Sequence, residues 1–280
     1  MRGRRHLPSP LIIVGGAVLG VLLATAVLAP LLSPFDPRAL SGDAFESPSL
    51  HHLFGTNSIG QDIGSQVIWG ARTSLSLAVG AAALSVSIGL VVGVTSGVLG
   101  GFVDTVIMRV VDSVLALPQL PLLVLVGALA GAGRLTITLV IALITWPVVA
   151  RLVRAQTLTL RRRDYIDAAR GFGGGLAYVV RRHLVPALSP VLVSSFVLIA
   201  GNAVLLEATL AFLGLSDPTA VSWGLILNRA LSNPGLYYTS SWTWLLLPAG
   251  CALALTVLGF AFLGVGLEPV INPRWRRAAR

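Results

Sequence analysis

Six long stretches of the chain consist almost entirely of apolar residues, and most charged residues lie between them. They cover residues 11–32, 74–99, 105–130, 135–150, 188–206 and 245–267. A bilayer core about 30 Å thick requires about 20 apolar residues in a helix, and these stretches reach or approach that length. The shortest lies between Arg134 and Arg151, so these side chains extend toward the membrane surface or the helix continues past them. The pattern predicts an all-α integral membrane protein with six transmembrane helices.

The composition supports this prediction. Hydrophobic residues make up 55% of the 280 residues and charged residues only 11%, whereas about 25% of a soluble domain is usually charged. So few charged side chains cannot cover a soluble fold, which excludes a cytosolic enzyme and a disordered chain. The single cysteine, Cys251, excludes a disulfide scaffold and a cysteine-based metal site.

The arginines predict the orientation in the membrane. With a cytoplasmic N-terminus, six spans place 16 of the 20 arginines inside and leave only Arg38, Arg72, Arg134 and Arg229 outside. This asymmetry is the one that positive-inside topology produces. We therefore attribute the net charge of +9 to membrane orientation rather than to nucleic-acid binding. Both termini are predicted to be cytoplasmic.

The predicted organisation has five parts. They are a cytoplasmic arm (1–10), a first transmembrane helix (11–32), an external segment (33–73), a five-helix core (74–270) and a cytoplasmic basic tail (271–280). The first stretch follows several arginines, as in a signal peptide, but its length and the lack of a small-residue cleavage motif predict an uncleaved helix. Within the core, residues 154–186 form the most highly charged cytoplasmic segment.

No residue pattern in the chain is typical of catalysis or of a bound cofactor. The histidines lie outside the predicted spans, so an intramembrane serine protease would lack its base. The adjacent His51 and His52 point in different directions in a helix or a strand, which favours a solvated loop over a metal site. The chain has no lysine and hence no GxxxxGK phosphate-binding loop. We predict no catalytic, cofactor-binding or metal-binding residue.

Few ionisable side chains lie inside the predicted spans. Glu207 lies near the outer end of the fifth, where we expect a hydrogen bond at a helix or subunit interface. Asp112 follows Arg109 by three residues, so the two share a helix face and are predicted to form an ion pair. A proton or ion relay, as in an ion-coupled carrier, is the less favoured alternative.

Small residues recur at every fourth position of the second span. These are Ala81, Ser85, Gly89, Gly93, Gly97 and Gly101. Such a stripe allows two helix backbones to approach closely in lipid, so Gly89, Gly93 and Gly97 are predicted to form a helix-packing surface. Prolines are predicted to kink or locally open the third and fourth spans; they are Pro118, Pro121 and Pro147.

The segment from 161 to 186 has two helical stretches with a glycine-rich break at 171–175. A short amphipathic helix pair on the membrane surface and a helix bound in a partner's groove both suit this pattern. Asp167-Ala168-Ala169, then Gly173, His183 and Pro186, resemble the EAA loop of bacterial ABC importer permeases. In that loop Glu-Ala-Ala is followed after three residues by Gly, and nine residues later by a hydrophobic-x-Leu-Pro ending. The spacing matches throughout, with Asp167, His183 and Val185 replacing Glu, Ile and Leu.

Further motifs between about 50 and 270 resemble the dipeptide/oligopeptide/nickel branch of this family, and the N-terminal arm and first span resemble its C-type subunit. The motifs are Phe54-Gly55-Thr56-Asn57 with Gly60-Gln61-Asp62, Gly70 to Leu75, Met108-Arg109 through Asp112, Arg151 through Arg154, and Ser222-Trp223-Gly224. Asn57 and Gln61 replace the Asp and Arg of the family pattern, which puts in question any external salt bridge or substrate contact there.

The resemblance implies a type I ABC importer permease fold in a bacterial inner (cytoplasmic) membrane. It implies a second permease subunit, two ATPase subunits that bind ATP and Mg²⁺, and an external binding protein that delivers the substrate. The ATPase would bind the loop at Asp167, Ala168, Ala169, Arg170, Gly171, Gly173, His183 and Pro186. Short peptides are the favoured substrate, and nickel or another metal chelate is the alternative. An ion-coupled secondary carrier is the distant alternative.

The predicted orientation can be tested by cysteine labelling. A cysteine at Ser41 should react with a membrane-impermeant thiol reagent added outside, whereas one at Thr159 should not. The opposite labelling pattern would reverse the assigned orientation.

Overall fold

The computed structural model describes residues 9–131 and 133–271, and its regular structure is helical apart from one bridge between Thr56 and Asp62. The helices are α1 (Pro10–Val27), α2 (Ala29–Leu32), α3 (Ile63–Leu99), α4 (Gly101–Ala116), α5 (Gln119–Ala130), α6 (Arg134–Leu160), α7 (Asp164–Gly171), α8 (Leu176–Val179), α9 (Val185–Phe212), α10 (Trp223–Leu231), α11 (Trp242–Leu245) and α12 (Leu247–Ile271). A π-helical turn, Val180–Leu184, joins α8 to α9. The predicted N-terminal arm, up to residue 8, and the basic tail beyond 271 lie outside the described residues.

Five helical segments in the described part of the chain are long and apolar enough to cross a membrane. They are Pro10–Val27, Ile63–Leu99, Arg134–Leu160, Leu176–Phe212 and Trp242–Glu268, and the bent pair α4–α5 makes a sixth if it is counted as one span. The all-α membrane architecture predicted from the sequence is therefore confirmed.

Two helices extend well beyond the predicted spans. The α3 helix has 37 residues and measures about 55 Å at 1.5 Å per residue, so it is longer than a bilayer core is thick. It begins at Ile63 rather than near 74 because the Asp62 carboxylate accepts a hydrogen bond from the Ser65 amide at 2.6 Å and caps the helix. The α6 helix continues to Leu160, so the start of the predicted 154–186 segment belongs to this helix.

The third predicted span is not one helix. Helices α4 and α5 meet at an angle of 88°, and the break falls at Leu117 and Pro118. Proline disfavours helical conformation in the residue before it and has no amide proton to continue the hydrogen-bond ladder. At 16 and 12 residues, α4 and α5 are about 24 and 18 Å long, so neither alone crosses the bilayer core. Pro147, by contrast, lies inside a continuous α6.

The helix α3 lies at the centre of the bundle, between α6 and α9, and α1 and α12 pack together beside it. The small-residue stripe of α3 faces α6. A Cβ atom at Gly89 would lie 2.5 Å from the Val149 Cβ, and one at Gly93 would lie 2.6 Å from the Ala150 carbonyl oxygen. At Gly97 it would lie 2.8 Å from the Thr157 Cβ. These glycines therefore set the distance between the two backbones.

A second close helix contact, which the sequence analysis did not identify, joins α1 to α12. A Cβ atom at Gly15 would lie 2.7 Å from the Gly259 carbonyl oxygen, and one at Gly266 would lie 2.5 Å from the Ile12 Cγ1. The glycines of this contact lie on two helices, so no single stripe with a four-residue period reveals it.

The close approach of α3 and α6 predicts that Gly93→Val destabilises the protein by about 1–3 kcal/mol, because the added atoms overlap backbone that cannot move aside. Gly20→Val is the matched control, since no atom lies within 4 Å of a Cβ at this exposed α1 position. Thermal unfolding in detergent should show a lower midpoint for Gly93→Val than for Gly20→Val. Equal midpoints would show that α3 and α6 are not in close contact.

Candidate functional site

The loop residues identified from the sequence, except Pro186 in the first turn of α9, lie in a short helical hairpin at one end of α3, α6 and α9. We call it the α7–α8 hairpin (residues 164–184). Ile166, Val179 and Leu184 are fully buried within it and form one apolar cluster. Val98 at the end of α3 and Leu160 at the end of α6 pack against this cluster. The hairpin is therefore attached to three long helices, to α3 and α6 by packing and to α9 through the π-helical turn.

Gly173 determines how α7 ends. Its φ angle is +84°, a left-handed conformation that favours glycine. The Gly173 amide donates to the Arg170 carbonyl and the Gly174 amide to the Ala169 carbonyl, both at 2.9 Å. These two bonds form a Schellman motif that ends the helix and reverses the chain. The glycine that matches the family motif is thus required by the turn.

Most of the motif residues face away from the bundle. Asp167, Ala168, Arg170, Gly171, Gly173 and Pro186 are exposed, and Ala169 and His183 are partly buried. Phe172 follows α7 and is 92% exposed. The His183 ring lies near two tyrosine rings, 6.0 Å from Tyr165 and 5.6 Å from Tyr178 between centroids. The hairpin therefore combines a buried inner face with an outer face of mixed apolar and charged character.

An ion pair at the same end of the bundle joins α4 to α6. The Arg154 guanidinium donates from Nε and Nη2 to the two carboxylate oxygens of Asp104, each at 2.5 Å. The Ser96 hydroxyl of α3 also donates to Asp104. The Arg161 side chain donates to the Gly97 carbonyl at 2.9 Å. Three helices are thus connected by charged hydrogen bonds next to the hairpin.

The sequence predicts an ion pair between Arg109 and Asp112, but in the structure Asp112 pairs with a different arginine. Its carboxylate accepts a hydrogen bond from Arg151 of α6 at 2.5 Å. Arg151 of α6, the helix that packs against α4, lies close enough to bond Asp112. The three-residue spacing to Arg109 therefore does not determine the pairing. Because both side chains are more than half exposed, the pair contributes less than about 1 kcal/mol.

A buried polar group lies toward the opposite end of the bundle, where α10 packs on α3 and α9. Glu207 of α9 is 2% exposed, and its carboxylate accepts a hydrogen bond from the Ser74 hydroxyl of α3 at 3.2 Å. The Ser74 oxygen in turn accepts the Trp223 amide at 3.4 Å. The helix-interface position expected for Glu207 is the one it occupies, and it connects three helices.

Each residue of the Ser222-Trp223-Gly224 motif has a distinct role in placing α10. The Ser222 hydroxyl accepts the Leu225 amide at 3.3 Å and caps the helix. The fully buried Trp223 donates its indole N–H to the Val67 carbonyl at 3.0 Å. Gly224 lies against α9, since a Cβ there would be 2.6 Å from the Ala208 Cα.

The segment before α3, predicted to be external, is ordered by side-chain hydrogen bonds rather than by regular structure. His52 is 1% exposed and its Nδ1 lies 2.9 Å from the Asp62 carboxylate, so the expectation of a solvated loop is wrong for this residue. Asn57 and Gln61 form an amide pair, with Asn57 Nδ2 donating to Gln61 Oε1 at 3.0 Å. Within the described residues, no group of three or more His, Cys, Asp or Glu side chains is arranged to hold a metal ion.

The partners of these polar side chains cannot be predicted from the sequence. Asp104 and Arg154 are 50 residues apart, and Ser74 and Glu207 are 133 residues apart. Ser74, Arg154 and Trp223 belong to motifs that were recognised as separate segments. The only available signal was that these motifs contain polar residues inside or beside apolar stretches, which indicates a partner without identifying it.

The chain is similar to membrane components of known transport systems. Residues 89–277 match the family described as binding-protein-dependent transport system inner membrane component. A protein of Brucella suis, provisionally named as a peptide permease protein, is 39% identical over 272 residues, which cover 96% of this chain and 89% of that protein. A protein of Escherichia coli, provisionally named as a D,D-dipeptide transport system permease protein, is 32% identical over 268 residues, which cover 95% of this chain and 88% of that protein.

The Schellman motif predicts opposite effects for two neighbouring glycines. Gly173→Ala forces a Cβ into a left-handed conformation at a cost of about 1–2 kcal/mol. Gly171→Ala, at a helical position with open space around it, should stabilise α7 by about 1 kcal/mol. Hydrogen exchange of the Gly174 amide should accelerate in the first variant and slow in the second. The same change in both variants would contradict the assigned turn.

Proposed function

Because this chain belongs to the family of binding-protein-dependent transport system inner membrane components, we propose that it forms half of the translocation path of an ATP-driven importer of short peptides. The observation that carries this proposal is the α7–α8 hairpin, an exposed element whose inner face is packed on two long helices and whose chain continues into a third. We propose that the protein is a type I importer permease and that its hairpin is the contact for an ATPase.

The hairpin is suited to transmit force. On this proposal, an ATPase subunit binds the outer face around Asp167, Ala168 and Phe172, and burial of an aromatic side chain that is 92% exposed supplies contact energy. Movement of the hairpin then displaces the helix ends that pack against Ile166. The Asp104–Arg154 pair extends this displacement to α4. ATP and Mg²⁺ would be bound by the ATPase subunits.

The proposed partners are a second permease subunit, two ATPase subunits and an external binding protein. The family description supports the last of these by its own words, since it names transport systems that depend on a binding protein. The second permease follows from the resemblance to ABC importer permeases, in which two permease subunits together form the path. An ion-coupled carrier would need none of these partners.

Short peptides are the proposed substrate class. The relatives from Brucella suis and Escherichia coli are provisionally named for peptide and D,D-dipeptide transport, and these names favour peptides over nickel or another metal chelate. The delivery protein is expected to provide much of the selectivity.

We propose the orientation with both termini in the cytoplasm of the bacterium, so that the α7–α8 hairpin faces the ATPases and α10 faces outward. The arginine distribution supports it. Ser41 is a poor labelling site, because it is only partly exposed and its carbonyl lies 3.3 Å from the His52 Nε2. Leu50 is 100% exposed and replaces it in the labelling test, with Thr159 as the inner site and Cys251→Ser as the background.

The coupling role predicts that Gly173→Trp inserts normally but separates ATP hydrolysis from transport. Trp cannot adopt the left-handed conformation without strain, and it adds bulk to the face that the ATPase would bind. Peptide uptake and ATP hydrolysis should be measured together in reconstituted vesicles. We expect hydrolysis to persist while uptake falls to background.

Gly214→Trp is the matched control for this test. Gly214 also has a left-handed conformation, at φ +75°, no atom lies within 4 Å of a Cβ there, and it ends α9 at the opposite end of the bundle. It should keep the wild-type ratio of uptake to hydrolysis. Normal coupling in Gly173→Trp would overturn the role assigned to the hairpin.

A further inference from the structure

A cleft lies between the external segment and α10. It is partly open to solvent, and its lining mixes apolar side chains with five polar ones. The polar residues are Asn57, Ser58, Gln66, Arg229 and Asn233. This cleft is far in sequence from the α7–α8 hairpin and has no part in the coupling mechanism proposed above.

Arg229 is the charged group of this lining. Its Nη2 donates to the Pro218 carbonyl at 2.6 Å, and among the described residues no carboxylate oxygen lies within 4.0 Å of the guanidinium. Burial lowers the pKa of Arg229 from its ordinary value, but an arginine remains protonated at any physiological pH. A partly buried cation among neutral polar groups makes the cleft attractive to an anion.

Two nearby acidic residues are engaged elsewhere, and a third, Glu46, lies next to Phe45 with its carboxylate 4.0 Å from the His52 Nε2. Asp62 contacts His52 and caps α3. Asp217 accepts hydrogen bonds from the Thr219 hydroxyl at 2.7 Å and amide at 2.8 Å, and these bonds lower the pKa of Asp217. Neither residue lines the cleft. The charge of Arg229 is therefore available to a group from outside the described chain.

Phe45, at the rim of the cleft, provides an independent observation. Its φ angle is +57°, the one positive value found for a non-glycine residue in the described chain. Such a conformation costs about 1–3 kcal/mol and is found preferentially at ligand-binding and catalytic sites. The hydrogen bond from the Phe45 amide to the Asn57 carbonyl, at 3.0 Å, holds the strained residue beside the cleft.

We propose that this cleft binds a carboxylate group, with Arg229 as its ionic partner and the Ser58 hydroxyl and Asn233 amide as further donors. Hydrogen bonds from a guanidinium to a carboxylate are among the strongest in proteins. The narrow cleft suits a carboxylate better than a whole peptide. Two sources could present this group outside the membrane: the C-terminus of a peptide, or an acidic side chain of the external binding protein. These two sources follow from the proposed function, whereas the carboxylate site does not depend on it.

A protection experiment tests the site without requiring transport. The importer complex in lipid nanodiscs is treated with the arginine reagent phenylglyoxal, and the modification of Arg229 and Arg38 is quantified by mass spectrometry. Arg38 is exposed and does not line the cleft, so it serves as the internal control. The reaction is run with acetylated dialanine, with its C-terminal amide at equal ionic strength, and with the binding protein free of cargo.

Each outcome of this experiment decides the proposal. Protection of Arg229 by the dialanine acid but not by its amide supports a peptide C-terminus as the ligand. Protection by the cargo-free binding protein supports an acidic side chain of that protein. If the rate of Arg229 modification relative to Arg38 is the same with every additive as without one, or if Arg229 does not react at all, the carboxylate site is excluded.

Variants provide the second test. Arg229→Gln should raise the KM for uptake by about tenfold, the value expected for loss of one charged hydrogen bond. The KM that rises is the one for peptide if the peptide is the ligand, and the one for the loaded binding protein if that protein is the ligand. Arg229→Lys should recover part of this loss, and Arg38→Gln should behave as wild type. If the wild-type protein shows no uptake but Arg229 is still protected from phenylglyoxal, the proposed import function is rejected and the carboxylate site stands.

Discussion

The close contact between α3 and α6 is the constraint on which the α7–α8 end of the molecule depends. Three glycines at four-residue spacing remove the side chains that would separate the two backbones. Only at this separation can Arg161 reach the Gly97 carbonyl, and the Ser96 hydroxyl of α3 can join the Asp104–Arg154 pair between α4 and α6. The same contact brings Val98 and Leu160 together as the apolar base of the hairpin. Lipid offers no hydrophobic driving force between helices, so contacts of this kind have to supply the association energy.

The α3 helix also connects the hairpin end of the bundle to the end at which α10 packs. Val98 lies under the α7–α8 hairpin, and Ser74 lies under α10, 24 residues earlier in the same helix, a distance of about 36 Å. The helix is continuous between them and is packed on α6 and α9. On the proposed function, a displacement of the hairpin would act on this continuous helix, which also contacts α10. Because α3 is continuous, mutations along it can test whether the hairpin and α10 are energetically coupled.

Some polar groups within the apolar bundle have a partner from another helix. Glu207 is stabilised by Ser74, and Thr145 of α6 donates to the Ser85 hydroxyl of α3 at 3.1 Å. An unsatisfied carboxyl or hydroxyl in this environment would cost several kcal/mol. These bonds therefore specify which helix faces pair, in a bundle whose apolar surfaces would otherwise tolerate several arrangements.

The sequence by itself determined the fold class and the family, because apolar length is a local property and the EAA spacing is a local motif. It also identified Gly89, Gly93 and Gly97 as a packing surface, since their period is that of one helix. Only the tertiary structure decided which helix this surface meets, that Asp112 pairs with Arg151 rather than Arg109, and that His52 is buried. The sequence predicted a break at Pro118, but only the tertiary structure decided its angle of 88° and the contact between the motif at 70–75 and the motif at 222–224. The reason is physical: a hydrogen bond or ion pair forms with whichever partner packing brings within about 3 Å, and packing between helices depends on the whole chain rather than on the spacing within one segment.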